Sequence, residues 1–166
     1  FNQDTLKTLS LYNSTIGYNN AAGILADKNH FPGIDLVKFG ESISIIHKRA
    51  TFDHMSILTV YEKVLEVFRD YYQYEEIQGA DRKKVEKIPE AAFREAIANA
   101  LIHRTWDVDA QIKVSMFDDR IEIISPGGLP PGITEAEYLS GKLSILRNRN
   151  LAYVFYRLGF VEIFGT

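Results

Sequence analysis

The segment PEAAFREAIANALIHR, residues Pro89–Arg104, decides the fold that we predict for this chain. Phe93, Ile97 and Leu101 recur at helical spacing, and together they form an apolar stripe along one face. Pro89 stands where a helix tolerates proline, in its first turn. The pattern predicts one amphipathic helix over 90–104, with its apolar face packed on a neighbouring layer.

A β-hairpin follows this helix and supplies that layer. Residues 110–117 alternate as a strand, Asp118 and Asp119 form a turn, and residues 121–124 return as the partner strand. We therefore expect the helix to lie across a sheet containing 110–117 and 120–125. Residues 125–132 form a loop rich in proline and glycine, and Asn148 or Asn150 begins a further helix to Leu158. Residues 160–164 are predicted to end the chain as a strand.

The first half of the chain predicts a small region of mixed structure. We expect short helices near 4–12 and 19–27, strands at 34–39 and 43–46, and a long amphipathic helix over 56–74. The charged stretch 80–87 is predicted to be a linker or loop. Helices and antiparallel hairpins segregate along the chain, so the predicted class is α+β. The predicted organisation is a connector region over 1–79 and a second domain over 80–166.

Composition limits the classes of function. Of the 166 residues, 46% are hydrophobic, which is enough to bury a core. The net charge of −3 argues against direct DNA binding, because phosphate contacts require cations. Cysteine is absent, which fits a reducing compartment, and no stretch approaches the ~20 apolar residues of a membrane span. We expect a cytoplasmic protein without membrane contact, and the first and last residues indicate a fragment of a longer chain.

The predicted helix carries the first candidate site. Glu95, Asn99 and His103 are spaced by four residues and form one polar stripe beside the apolar face. A glutamate can activate a water molecule, and an asparagine can hold Mg²⁺ through its amide oxygen. The same spacing is typical of a solvated helix face, and both interpretations stay open. A zinc site is disfavoured because no second histidine lies four residues from His103.

Two further segments could contact a ligand. The turn Ser125-Pro126-Gly127-Gly128 can expose backbone N–H groups to a ligand, although a tight turn has the same composition. Residues 147–150, Arg-Asn-Arg-Asn, precede or begin a helix and could bind anions through charge and helix-end N–H groups. A solvated helix cap is the alternative for this segment.

The order of these pieces resembles a known family. The resemblance lies in residues 89–104, 117–132, 147–148 and 155–162 and in the closing Gly165-Thr166. In this order they resemble the GHKL-type (Bergerat-fold) ATPase domain of bacterial proteins labelled RecG-like or transcriptional regulators. Those proteins usually carry an N-terminal Schlafen/AlbA-like domain. The resemblance implies a two-layer α/β sandwich of Bergerat type, incomplete at its C-terminus and preceded by the connector region.

The resemblance also implies roles for individual residues. Glu95 matches the catalytic, water-activating glutamate, and Asn99 matches the asparagine that holds Mg²⁺ of an ATP–Mg²⁺ ligand. His103 and Arg104 are expected near the phosphates. The implied nucleotide site is completed by Ser125, Gly127, Gly128, Arg147 and Asn148.

Several positions depart from the family pattern. Ser125 stands where active members carry the aspartate that binds the adenine amine, and Arg149 replaces the usual proline. The second glycine box is incomplete after Thr166. A GxxxxGK[ST] loop is absent from the sequence, so a helicase activity has no support.

Three functions remain open from the sequence. The first is an ATP-binding regulatory module of a DNA-associated transcriptional regulator, with weak or no hydrolysis, whose DNA contacts belong to other domains. The second is a degenerate scaffold used for interaction or dimerisation, for which a homodimer is expected. The third is an active ATPase of a DNA-processing enzyme. The fold alone does not choose between them.

Overall fold

The protein is described by a computed structural model that covers residues 2–78, 81–129, 132–140 and 146–161. Its class is α+β, as predicted. The helices are α1 (Gln3–Thr8), α2 (Asn20–Leu25), α3 (Ile57–Tyr72), α4 (Glu90–His103), α5 (Glu135–Leu139) and α6 (Arg149–Arg157). The strands are β1 (Tyr12–Asn13), β2 (Gly17–Tyr18), β3 (Ile34–Phe39), β4 (Ile46–Phe52), β5 (Gln73–Gln78), β6 (Asp81–Glu86), β7 (Ile112–Met116) and β8 (Ile121–Ile124).

Among the described residues the main sheet has four strands, in the order β4-β3-β7-β8. β3 pairs with β4 and β7 with β8 in antiparallel fashion, whereas β3 and β7 are parallel, with Ile34 opposite Ile112. The sheet therefore joins strands from both sides of the predicted division at 79/80. That division stays a prediction.

A hydrophobic core lies between the main sheet and the helices. Side chains alternate across a strand, so every second residue of β3 and β7 faces inward and is buried. Helices α3, α4 and α6 cover this face, and the Phe68 and Phe93 rings stack 4.4 Å apart between α3 and α4. The predicted apolar stripe of α4 is confirmed as core, since Phe93, Ile97 and Leu101 are at most 3% exposed.

Three sequence-based predictions of secondary structure are wrong. The run 43–46 is mostly a turn, and its isoleucines are exposed; β4 begins only at Ile46. The predicted linker at 80–87 contains β6, which pairs with β5 in a separate two-stranded sheet. The two short helices also end earlier than predicted, α1 at Thr8 and α2 at Leu25.

The last predicted strand falls largely outside the described residues. Phe160 and Val161 form a bend, and 162–166 are not described. Within the described part of the chain, no helix is long and apolar enough to cross a membrane.

Candidate nucleotide site

The polar stripe of α4 holds a direct side-chain contact. The Asn99 Nδ2 donates a hydrogen bond to the Glu95 Oε1 at 2.9 Å. Asn99 is exposed and Glu95 is half-buried at the edge of the helix. With its amide nitrogen held by the carboxylate, Asn99 directs its Oδ1 away from Glu95, and this oxygen can accept a ligand.

The glycine turn is tied to the C-terminal end of α4. The Ser125 hydroxyl donates to the Ala100 carbonyl at 3.1 Å, and the Thr105 N–H donates to the Pro126 carbonyl at 3.0 Å. Gly127 has a φ of +119°, a conformation that strongly favours glycine. These contacts hold the turn beside the helix end.

Arg147 also contacts the glycine turn. Its guanidinium donates to the Thr105 hydroxyl at 2.6 Å and to the Gly128 carbonyl at 2.7 Å. A Cβ at Gly127 would stand 2.1 Å from the Thr105 Oγ1 and 3.0 Å from this guanidinium. Glycine is therefore required here by space as well as by backbone conformation.

A cavity of about 730 Å³ opens between α4 and the glycine turn. Six of the site residues that were predicted from the sequence line this cavity together: Asn99, His103, Ser125, Gly127, Gly128 and Arg147. Glu95 is joined to this set through Asn99. The volume lies within the ~300–1,000 Å³ typical of small-molecule sites.

The remaining lining residues are mainly apolar, and among them only Pro126 was predicted from the sequence to lie near a ligand, as part of the turn 125–128. They lie in α4, in β8, in the loop that follows β8 and in the segment around α5: Ala96, Ala100, Ile123, Pro126, Leu129, Ile133 and Tyr138. Such a surface suits a flat organic ring. The capping box of Thr134 and Glu137 fixes the start of α5 beside Ile133, and it indicates no binding role.

His103 is electrically neutral more readily than a free histidine. Its partial burial and the nearby positive charge of Arg147 both lower the pKa of the imidazole. A neutral imidazole can accept or donate a hydrogen bond in the cavity without adding charge.

Arg104 and Asn148 lie elsewhere. The Arg104 guanidinium is fully buried and donates to the carbonyls of Pro32, Val108 and Ala110. The Asn148 amide donates to the carbonyls of Ile102 and Arg104, so it caps the C-terminal end of α4. Neither residue lines the 730 Å³ cavity, and the structure places both in contacts that hold segments of backbone together.

The described residues contain no cluster of three or more His, Cys, Asp or Glu side chains that could hold a metal ion. A metal held only by this part of the chain is therefore not supported. An ion bound here would need most of its ligands from water and from a second molecule, which is the usual situation of Mg²⁺ with phosphates.

Comparison with known proteins gives a family match for part of the chain. Residues 109–166 match the family model described as "Putative ATP-dependent DNA helicase recG C-terminal". The match supports a RecG-like ATPase-type domain. It begins after α4, so it includes the glycine turn and Arg147 but not Glu95, Asn99 or His103. No curated protein matches the chain.

A solved structure is similar over nearly the whole chain. The crystal structure of the DIP2311 protein from Corynebacterium diphtheriae superposes with a TM-score of 0.81 at 25% sequence identity, over 96% of this chain. The matched region is 33% of that protein, so this chain spans about a third of its length. The likeness is consistent with an α+β, ATPase-like fold.

Proposed function

We propose that this chain is an ATP-binding regulatory module of a RecG-like protein, which binds ATP–Mg²⁺ weakly and hydrolyses it slowly, if at all. The observation that carries the proposal is the cavity in which Asn99 and the turn 125–128 face each other. Adenine would lie on its apolar wall, and the phosphates near Asn99 and Arg147. His103, neutral near pH 7, would donate to or accept from the nucleotide.

The residues fit a magnesium ion that the nucleotide brings with it. Asn99 would offer its Oδ1, because its amide nitrogen is already bonded to Glu95. Water and phosphate oxygens would supply the other ligands of the octahedral ion. When bound, Mg²⁺ neutralises phosphate charge. Glu95 would orient or deprotonate water near Asn99.

We expect weak affinity for ATP because of the residue at the position that would bind the adenine amine. Active relatives of this fold are expected to use an aspartate where this chain has Ser125. Here the hydroxyl donates its hydrogen to the Ala100 carbonyl and contributes no negative charge. The proposal assigns regulation of transcription and DNA contacts to other parts of a longer protein, since this chain has a net charge of −3.

The test is titration calorimetry with ATP–Mg²⁺, with phosphate release measured in parallel. Asn99→Ala should weaken Mg²⁺-dependent binding. Glu95→Gln keeps an acceptor for the Asn99 amide, so it should preserve binding and reduce any hydrolysis roughly 10²–10⁴-fold. Glu62→Gln, an exposed glutamate on α3, is the matched control and should change neither.

The rival functions predict different results. A chain that binds no nucleotide favours the scaffold, whose homodimer would be seen by sedimentation. Rapid turnover that Glu95→Gln abolishes favours an active ATPase. Equal binding and equal turnover in all variants would mean that the α4 stripe is only a solvated helix face.

A further inference from the structure

A second cavity of about 560 Å³ lies beyond Arg147, between α2, the segment 104–107 and the start of α6. Arg147 lines both cavities, but Trp106 lines only the second. The side chains that matter for its chemistry are Arg104, Trp106, Asp107, Arg147 and Arg149. Three arginines and one aspartate leave this wall with an excess of two positive charges.

This positive charge is not neutralised by ion pairs. Within the described ranges, no carboxylate lies within 4.0 Å of the guanidinium nitrogens of Arg104, Arg147 or Arg149. Arg104 is the most costly of the three, because it is fully buried and its hydrogen bonds go only to neutral carbonyls. Burial lowers the pKa of the Arg104 guanidinium, although the carboxylates of Asp53 and Asp109 partly oppose this effect. An anion in the adjoining cavity would offset the remaining cost of the buried charge.

Unpaired donors lie along the same wall. The Arg104 Nε and the Trp106 Nε1 are buried and have no hydrogen-bond partner among the described residues. The Arg104 guanidinium lies 4.3 Å from the Trp106 ring centre, so both unpaired donors belong to one stacked pair. Leaving buried donors unpaired costs free energy, and both residues line the second cavity.

The N-terminus of α6 adds to this field. α6 has nine residues, and Asn148 at its N-cap makes no side-chain hydrogen bond to the first turn, since its amide contacts the end of α4 instead. Arg149, Asn150 and Leu151, whose N–H groups begin the helix, all line the cavity. Free N–H groups at a helix N-terminus attract anions.

We propose that this second cavity binds a phosphate-type oxyanion, and that Arg149 is its principal exposed ligand. A tetrahedral oxyanion with several acceptors suits guanidinium groups and helix N–H groups better than a neutral ligand does. The oxyanion can be free in solution, or it can be the phosphate tail of a nucleotide held in the first cavity. Both sources present the same chemistry to Arg149.

The test uses the indole N–H signal of Trp106 in ¹⁵N-labelled protein. Trp106 is the sole tryptophan, so the signal is unique and reports on the second cavity. Inorganic pyrophosphate should shift it in a saturable way at constant ionic strength. Arg149→Gln should weaken the apparent affinity about tenfold or more, as expected for the loss of a charge-assisted hydrogen bond. Arg149→Lys should retain part of it, and Arg157→Gln, at the other end of α6, should match the wild type.

The two sources are separated by a second titration with ATP–Mg²⁺. A shift by pyrophosphate alone assigns a free anion. A shift by ATP only, weakened by Asn99→Ala, assigns the nucleotide tail and depends on the proposed ATP site. If neither molecule moves the signal, or if Arg149→Gln responds as the wild type does, the second site is refuted, whatever the first cavity binds.

Discussion

Replacing Gly127 with alanine tests the packing of the glycine turn against Arg147 and Thr105. The new Cβ would stand 2.1 Å from the Thr105 Oγ1 and 2.8 Å from its Cβ, so the turn or the Thr105 backbone must move. The φ of +119° adds backbone strain of about 1–3 kcal/mol. Displacing Thr105 breaks its hydrogen bond with Arg147, which costs about 1.5–3 kcal/mol because one partner is charged.

Together these costs lower the free energy of unfolding by about 2.5–6 kcal/mol. For a chain of this size the melting temperature should fall by about 5–24 °C. Gly128→Ala is the matched control, because a Cβ there meets nothing within 4 Å and its φ is not positive. Differential scanning calorimetry measures both variants. A Gly127→Ala melting temperature equal to that of Gly128→Ala would refute the described geometry of the turn.

Two further predictions concern the end of α4. Asn148→Ala removes the two hydrogen bonds to the Ile102 and Arg104 carbonyls, so it should lower the free energy of unfolding by about 1–3 kcal/mol, measured by urea unfolding. Asn150→Ala is the control and should stay near the wild type. Equal losses in the two variants would contradict the capping role of Asn148. His103 has a lowered pKa in the folded state, so the unfolded chain binds its proton first as the pH falls below about 6.5. The free energy of unfolding should therefore decrease as the pH falls from about 6.5, until the pH passes the pKa of His103 in the folded state. This dependence on pH should be weaker in His103→Gln. An identical dependence in the two proteins would contradict the lowered pKa of His103.

The sequence predicted those elements that bury a regular apolar face. α3 and β7 have a regular apolar pattern because one side of each packs on the core. In α4 the predicted stripe of Phe93, Ile97 and Leu101 is buried, as are several of its other apolar residues. The hairpin β5–β6 was missed because its described side chains are mostly exposed and charged, so no apolar alternation marks it. β4 was misplaced for a related reason: it is an edge strand whose residues alternate weakly, while the apolar run 43–46 before it is exposed.

The candidate site was predictable in part. Helical spacing placed Asn99 and His103 on one line, and the glycine turn followed from its composition. The positions of Arg104 and Asn148 were not accessible in this way, because their partners are backbone carbonyls far along the chain, such as Pro32 for Arg104. A local pattern identifies a polar residue, but it does not show which distant carbonyl that residue meets.

The parallel pairing of β3 with β7 has a consequence for the order in which the protein folds. β3, β4 and α3 leave the ribosome well before residues 112–116, which are the central neighbour of β3. Until then one edge of β3 has unpaired backbone groups, and the buried face of α3 lacks part of its cover. Closing a loop from Ile34 to Ile112 is slow compared with forming a hairpin. Aggregation or chaperone binding is therefore expected while only the first half of the chain has been synthesised.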